Sequence, residues 1–137
     1  MRQQALIDTG AVLALLDSMD ARHAACAAAM REMQLPLLTT AAVLTETFHF
    51  LRDEHQLAEA WRFYRSGTVM LLPGIEDDLP DLERLMLKYA DRPMDFADAT
   101  LVRLAEREGL TTILTVDRDF EVYRIGGRKA LRVLPQR

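Results

Sequence analysis

Residues 5–17, which read ALIDTGAVLALLD, decide the fold class because a strand pattern gives way there to a helical one. The short apolar run at 5–7 predicts a buried strand, and Thr9 is placed to cap a helix over residues 10–17. A strand that runs directly into a helix is typical of α/β proteins. Asp8 lies between the two elements, at the carboxyl end of the strand.

The same alternation continues along the chain. Further strands are predicted at 36–39, 68–73, 112–116 and 131–135, and further helices at about 20–33, 41–54, 57–66, 78–90 and 95–108. Thr40 is placed to cap the helix at 41–54, and Gly109 to end the helix at 95–108. Because the strands are short and almost wholly apolar, their sheet should be mainly parallel and covered on both faces. We therefore predict one three-layer α/β/α domain over residues 1–137, with a central, mainly parallel sheet of about five strands.

Composition limits the classes of function. The net charge of −4 disfavours a broad basic face for nucleic acid, but it leaves room for a local basic rim or for metal ions. Cys26 is the only cysteine, which excludes a disulfide framework, favours a reducing compartment and indicates a small buried hydrophobe. No apolar stretch approaches the length of about 20 residues that crosses a bilayer. We expect a soluble cytoplasmic protein.

Four acidic residues are expected near one edge of the sheet. Asp8 follows the first strand and Asp117 the fourth, so both belong at the carboxyl ends of parallel strands, where ligands bind in α/β sheets. Glu46 and Asp98 lie on helices and share the apolar stripe that should face the sheet. Each acid also has a plain structural interpretation. Asp8 could cap a helix, Glu46 could lie at the solvent edge, and Asp95 with Asp98 could form a variant capping box.

Together these acids point to a metal site. Two carboxylates about 4 Å apart repel by roughly 4 kcal/mol at an effective dielectric of 20, and the same motifs hold no matching basic cluster. A hard divalent ion such as Mg²⁺ prefers oxygen ligands and removes this repulsion. Ions of this kind also catalyse phosphodiester hydrolysis. Because no set of histidines or cysteines accompanies the acids, Mg²⁺ or Mn²⁺ is expected rather than zinc.

Four segments that together span nearly the whole chain carry a family resemblance. They read LIDTGAVLALL at 6–16, VLTE at 43–46, MDFADATLVRLAE at 94–106 and LTVDRDF at 114–120. In this order they resemble the motifs of PIN-domain nucleases, and within that group the VapC-like toxins of bacterial toxin–antitoxin pairs. No single segment is specific, but four in order, each on the expected element, indicate a PIN-like domain.

The resemblance implies the site residues. It matches the family's metal-binding and catalytic acids to Asp8, Glu46, Asp98 and Asp117, and it matches the small hydroxyl residue before the last acid to Thr115. Many family members lack acids at the positions of Asp95 and Asp119, which are therefore second-rank metal ligands.

The resemblance also implies the activity and the partners. It implies endonucleolytic cleavage of RNA that depends on Mg²⁺ or Mn²⁺, homodimers, and inhibition by a small cognate antitoxin protein. Arg92, Arg103 and Arg118 lie near the motifs in sequence and are candidates for contacting the RNA backbone. Residues 57–66, LAEAWRFYRS, carry more apolar and aromatic side chains than one helix on a sheet needs, so we expect the dimer to form partly through them.

Three other interpretations use some of the same residues. A PIN-like domain could serve only as a module that binds RNA or protein. A haloacid-dehalogenase-like phosphatase also has an aspartate after its first strand, but it needs a second one at position 10, which is Gly10. The DTG at 8–10 also matches the aspartic protease signature, but that fold is β-rich and the residues after it have a helical period.

Overall fold

The structure is a computed structural model that describes residues 2–136, and its central feature is a parallel sheet. The seven strands are β1 (Gln4–Ile7), β2 (Gln34–Thr39), β3 (Val69–Leu71), β4 (Thr112–Leu114), β5 (Arg124–Ile125), β6 (Lys129–Ala130) and β7 (Arg132–Leu134). Five of them form one sheet in the order β3-β2-β1-β4-β7, and every neighbouring pair is parallel. The predicted parallel sheet of five strands is confirmed. The small antiparallel hairpin of β5 and β6 was not predicted.

In the described part of the chain, six helices cover this sheet. They are α1 (Thr9–Leu16), α2 (His23–Arg31), α3 (Ala41–His49), α4 (Glu54–Arg65), α5 (Leu79–Lys88) and α6 (Phe96–Glu108), and two short 3₁₀ turns lie at Glu76–Asp78 and Arg118–Glu121. Within residues 2–136, none of the helices combines the length and the apolarity that a membrane crossing requires.

Local polar contacts set the helix ends. The predicted cap at Thr40 is confirmed, because its side chain accepts a hydrogen bond from the Val43 N–H. The predicted cap at Thr9 is wrong, since Thr9 is already the first residue of α1. The predicted break between the third and fourth helices was placed too late. Asp53 accepts a hydrogen bond from the Gln56 N–H at 2.8 Å and therefore starts α4 at Glu54.

Alternate residues of the strands face two separate cores. Leu6 of β1 and Ile113 of β4 pack with apolar side chains of α5 and α6 on one face. Ile7 and Leu114, the next residues along the same strands, pack with side chains of α1 and α2 on the other face, and these include the buried Cys26. Because both faces of the sheet are covered, the predicted three-layer architecture is confirmed.

The strand order fixes where a ligand can bind. From the central β1 the chain moves to β2 and β3 on one side, and it then crosses to β4 and β7 on the other. The order therefore reverses between β1 and β4. In open α/β sheets, the crevice at the carboxyl ends of the strands at such a reversal is the usual ligand site. Asp8 directly follows β1 at this edge, and Asp117 lies three residues beyond β4.

Candidate active site

Three carboxylates meet at the carboxyl edge of the sheet, between β1 and β4. Asp8, Asp98 and Asp117 each supply one oxygen atom, and these three atoms lie within 4.8 Å of one another. Asp8 and Asp98 are buried, with 5% and 7% of their surface exposed, and Asp117 is half-buried. The structure thus brings together three of the four acids that the sequence places at this edge.

Asp8 does not act as an ordinary helix cap. It occupies the N-cap position of α1, but its carboxylate makes no capping hydrogen bond. Its Oδ2 accepts a hydrogen bond from the Thr115 hydroxyl at 3.0 Å, whereas its buried Oδ1 has no hydrogen-bond partner among residues 2–136. A buried carboxylate oxygen without a partner is costly. Beside two further carboxylates, such an oxygen has the chemistry of a ligand for a hard divalent cation, so the site fits Mg²⁺ or Mn²⁺.

Thr115 connects two of the acids. Its buried hydroxyl donates to Asp8 and accepts from the backbone N–H of Asp117 at 3.0 Å. Its own N–H donates to the Leu134 carbonyl of the neighbouring strand at 2.8 Å, which holds the end of β4 against β7. One hydroxyl group therefore fixes the position of the Asp8 carboxylate relative to the loop that carries Asp117.

Asp98 is held from two sides. The Asp95 carboxylate caps α6 by accepting the Asp98 N–H at 2.8 Å, and the Tyr123 hydroxyl donates to Asp98 Oδ2 at 3.1 Å. Tyr123 is fully buried against Tyr89 and Phe120. Burial and the adjacent Asp98 carboxylate raise the pKa of Tyr123, so its hydroxyl remains a donor at neutral pH. Tyr123 was not among the residues that the sequence indicated for the site; its only signal was its spacing of three residues from the aromatic Phe120.

Burial and mutual repulsion disfavour charge in this cluster. Burial is the largest cause that raises the pKa of Asp8 from 3.8 to about 7, and the charges of Glu46 and Asp117 add to it. Burial also raises the pKa of Asp98 to about 8, with further contributions from Asp8, Asp95 and Asp117. The N-termini of α1 and α6 offset part of this repulsion, because a helix N-terminus favours negative charge. A divalent cation would offset more.

The remaining predicted acids lie farther out. Glu46 is half-buried and lines the same cleft as the three clustered acids, but its carboxylate is not part of the close group. Asp95 also lines the cleft, and its carboxylate is engaged in capping α6. Asp119 does not line the cleft; its carboxylate pairs with Arg92 at 3.5 Å, and its N–H donates to the Asp117 carboxylate. The cleft has a volume of about 270 Å³.

Gly10 allows the two sides of the site to approach each other. A Cβ atom at Gly10 would lie 2.5 Å from Val116 Cγ2, which is closer than real Cβ contacts come. Val116 stands between Thr115 and Asp117, and its β-branched side chain is stiff. A larger residue at position 10 would therefore push α1, with Asp8, away from Asp117. The sequence signal for this role was a glycine in the first turn of a helix, where most residues are better helix formers.

Comparisons with known proteins agree with this geometry. The profile of the PIN domain family matches residues 5–126, a range that contains all the acids described above. The chain belongs to the PIN domain family. Ribonuclease VapC26 of Mycobacterium tuberculosis is similar to this PIN-domain chain, with 28% identity in an alignment 142 residues long. The alignment covers 95% of this chain and 99% of that protein.

A solved structure supports the fold. The crystal structure of Mycobacterium tuberculosis VapC20, described as a sarcin-ricin loop cleaving toxin, matches this PIN domain with a TM-score of 0.77 and 23% identity. The match covers 87% of this chain and 94% of that one. The predicted family and fold are therefore confirmed, and the phosphatase and protease interpretations are set aside.

Proposed function

We propose that this chain is a metal-dependent endoribonuclease and the toxin of a toxin–antitoxin pair. The observation that carries the proposal is the group of three acids, two of them buried, whose ligand oxygens lie within 4.8 Å of one another in a PIN domain. The names of the similar proteins support RNA as the substrate class, because one is a ribonuclease and the other is described as a toxin that cleaves the sarcin-ricin loop.

Mg²⁺ is the proposed ion, with Mn²⁺ as the alternative. Asp8, Asp98 and Asp117 would hold it, and Glu46 would contribute from the outer edge of the cleft. Asp95 and Asp119 would be second-rank ligands that must first leave the α6 N-terminus and Arg92, respectively. When bound, the ion would act as a Lewis acid that stabilises the charge developing on the scissile phosphate.

The chain's own side chains prepare the acids for this role. Thr115 and Tyr123 each donate a hydrogen bond to one carboxylate and so fix its orientation. With pKa values of about 7 and 8, Asp8 and Asp98 retain protons near neutral pH until a cation displaces them. Metal binding should therefore release protons and weaken as the pH falls. We expect activity to rise between pH 6 and pH 8 for this reason.

Cleavage of RNA tests the proposal directly. Purified protein is incubated with total RNA in Mg²⁺, in excess EDTA, and in EDTA followed by excess Mg²⁺, beside the Asp98→Asn variant and the surface control Asp53→Asn. We expect wild type and the control to cleave only with the ion present, and Asp98→Asn to be inactive. Strong cleavage in EDTA would refute the metal mechanism. RNA binding without cleavage under any of these conditions would instead favour the non-catalytic binding module.

We further propose a homodimer, a small antitoxin partner and a cytoplasmic location. On α4, Leu57 and Trp61 are 42% and 49% exposed, whereas Phe63 and Tyr64 pack onto the core, so the first two are free to contact a second copy. Sedimentation at micromolar concentration should give a dimer that Trp61→Glu weakens. A monomer for wild type would contradict the homodimer.

A short neighbouring reading frame that encodes a DNA-binding protein would support the proposed antitoxin partner.

A further inference from the structure

A cavity separate from the acidic cleft opens beside Asp117. It has a volume of about 420 Å³ and is lined by Thr115 and Asp117 of the candidate site, by Arg22, Arg118 and Glu121, and by residues of α2 and β7. The two arginines therefore share a cavity with Asp117, one of the proposed metal ligands.

A second cavity continues from the first along α2 and the edge strand β7. Its volume is about 750 Å³, and its lining includes Arg2 and Arg132. Ala25, Pro135 and Gln136 line both cavities, so the two adjoin each other, and we call them together the α2–β7 groove.

The arginines of the α2–β7 groove are available to a ligand. Arg2 and Arg132 form no ion pair within residues 2–136. Arg22 and Arg118 have only exposed intrachain contacts, at 3.6 Å to Asp20 and 3.9 Å to Glu121. Exposed pairs of this kind contribute about 0–1 kcal/mol and exchange readily for another anion.

Other arginines near the motifs are already engaged. Arg103 donates to the buried Asp78 at 3.0 Å and also pairs with Asp81, on the side of α6 that faces α5. Arg92 pairs with Asp119. Of the three arginines that the sequence suggested as RNA contacts, only Arg118 lies in the α2–β7 groove.

We propose that the α2–β7 groove binds single-stranded RNA that leads away from the cleavage site, with Arg22 and Arg118 on phosphates near the site and Arg2 and Arg132 on phosphates farther along. This inference rests on the proposed ribonuclease function. Arginine suits phosphate oxygens because its planar fork donates two parallel hydrogen bonds.

The dimensions fit a single strand of several nucleotides. Thr112 at the start of β4 lines the larger cavity and Asp117, beyond the end of β4, lines the smaller one, and an extended chain of that length spans about 17 Å. Each cavity has the volume of a pocket for a drug-sized ligand, which suits one or two nucleotides rather than a double helix. Between the arginines the walls include the small apolar residues Ala25, Ala28 and Pro135, and one glutamate lines each cavity, Glu32 in the larger and Glu121 in the smaller. The apolar residues can accept any base.

A peptide strand that adds to the free edge of β7 is the competing occupant. Backbone pairing with an edge strand needs no row of cations, whereas the arginines lie along the groove up to the acids of the site. The charge pattern and the continuity with Asp117 therefore favour RNA.

Direct RNA binding tests the groove independently of cleavage. Fluorescence anisotropy with a labelled single-stranded RNA of about 12 nucleotides is measured over a range of salt concentrations, with every protein carrying Asp98→Asn so that the probe stays intact. The test proteins carry Arg22→Gln with Arg118→Gln, or Arg2→Gln with Arg132→Gln. The matched control carries Arg65→Gln with Arg128→Gln, two exposed arginines that line neither cavity.

We expect each groove pair to weaken binding about tenfold near 0.15 M salt and to reduce the salt slope by about 1.4, since each lost phosphate contact removes about 0.7. The control pair should bind like its parent. On the background with Asp98 intact, the groove variants should keep the wild-type increase in melting temperature with Mg²⁺.

The outcomes separate the two proposals. Unchanged RNA binding in both groove variants would refute the α2–β7 groove as an RNA site, even if wild type cleaves RNA. A peptide strand paired with the edge of β7 would then be the remaining candidate occupant. Weakened binding together with no cleavage by wild type would keep the groove as an RNA site and refute the nuclease.

Discussion

Replacing Asp8 by asparagine should stabilise the metal-free protein at the same time as it removes activity. The amide keeps the size of the side chain and an oxygen that can accept the Thr115 hydrogen bond, but it removes a negative charge from the acid cluster. An ordinary catalytic carboxylate in a solvated site would show only the loss of activity. The combination of both effects is therefore diagnostic of crowded, buried acids.

The magnitude follows from the pKa of Asp8. A folded-state value of about 7 in place of 3.8 corresponds to about 4 kcal/mol of destabilisation when the group is charged. Burying the amide instead costs about 1–2 kcal/mol, so the net gain for Asp8→Asn should be about 2–3 kcal/mol. For a domain of this size that gain raises the melting temperature by about 7–10 °C.

The pH dependence has a definite sign. Because the pKa of Asp8 is higher in the folded state than its usual 3.8, the folded protein binds more protons than the unfolded protein between these two pH values. Wild-type stability therefore falls as the pH rises from about 4 to 7, and the penalty is complete above pH 7. The advantage of Asp8→Asn should be absent or reversed at pH 4 and full at pH 8.

Thermal melts in EDTA at both pH values, repeated with Mg²⁺ at pH 8, measure these effects. Asp53→Asn is the matched control, because Asp53 is an exposed N-cap of α4 and asparagine caps about as well. With Mg²⁺ at a hundred times its dissociation constant, wild type should gain about 2.7 kcal/mol, and Asp8→Asn should lose most of that gain. An Asp8→Asn protein that is no more stable than wild type at pH 8 in EDTA would refute the reasoning, as would an equal gain at pH 4.

Three further substitutions test the parts that surround the acids. Gly10→Ala should abolish cleavage and the Mg²⁺-induced increase in melting temperature. Adding Val116→Ala should restore both, because the Val116 Cβ lies an ordinary 3.9 Å from the new methyl group. A double variant that does not recover would contradict the close approach of Gly10 and Val116 as the cause. Thr115→Val should destabilise the protein by about 1–2 kcal/mol and reduce cleavage, whereas Thr115→Ser, which keeps the hydroxyl, should keep most activity. Equal activity of the two variants would exclude a role for the hydroxyl. Asp78→Asn should lower stability by about 2–3 kcal/mol, because it removes the buried carboxylate that Arg103 and Arg107 share, and it should leave cleavage at 25 °C intact. A selective loss of activity would show that this ion-pair network supports the site.

The acids that the sequence placed correctly depend on local rules. Asp8 and Asp117 follow strands, and the carboxyl ends of parallel strands share one edge, so their proximity follows once the strands are recognised. Asp98 aligns with Leu101 and Val102 on the buried face of α6, and both of these are fully buried. The helical periodicity of α6 was therefore sufficient to predict that Asp98 faces the interior.

The sequence did not determine the positions of Glu46 and Asp119. These positions depend on the rotation of a helix about its axis and on the conformation of a loop. Glu46 lines the cleft but lies outside the close group, and a small rotation of α3 about its axis would change that distance. Asp119 is two residues from Asp117 and faces Arg92 instead, because the chain forms a 3₁₀ turn there. No pattern in the sequence determines either geometry.

The two contacts that the sequence did not predict are tertiary. Tyr123 reaches Asp98 across 25 positions of sequence, and Gly10 meets Val116 only after β1 and β4 have paired. In both cases the residue type was visible, but its partner was not. A single sequence carries no record of which tyrosine or which glycine supports a site, so these roles became apparent only from the assembled fold.

The position of the acids on separate elements explains why the site should affect the stability of the whole domain. Asp8 follows β1, Asp117 follows β4, and Asp98 lies in the first turn of α6, so repulsion among them acts between elements and not within one loop. The parallel pairing of β1 with β4 and the buried face of α6 resist that repulsion. A cation held by the three carboxylates would connect the same elements, and its binding free energy would then oppose global unfolding. The arginines replaced in the α2–β7 groove are not among the three carboxylates that would hold the cation. For that reason the metal-induced increase in melting temperature can report on the acid cluster while RNA affinity reports on the groove.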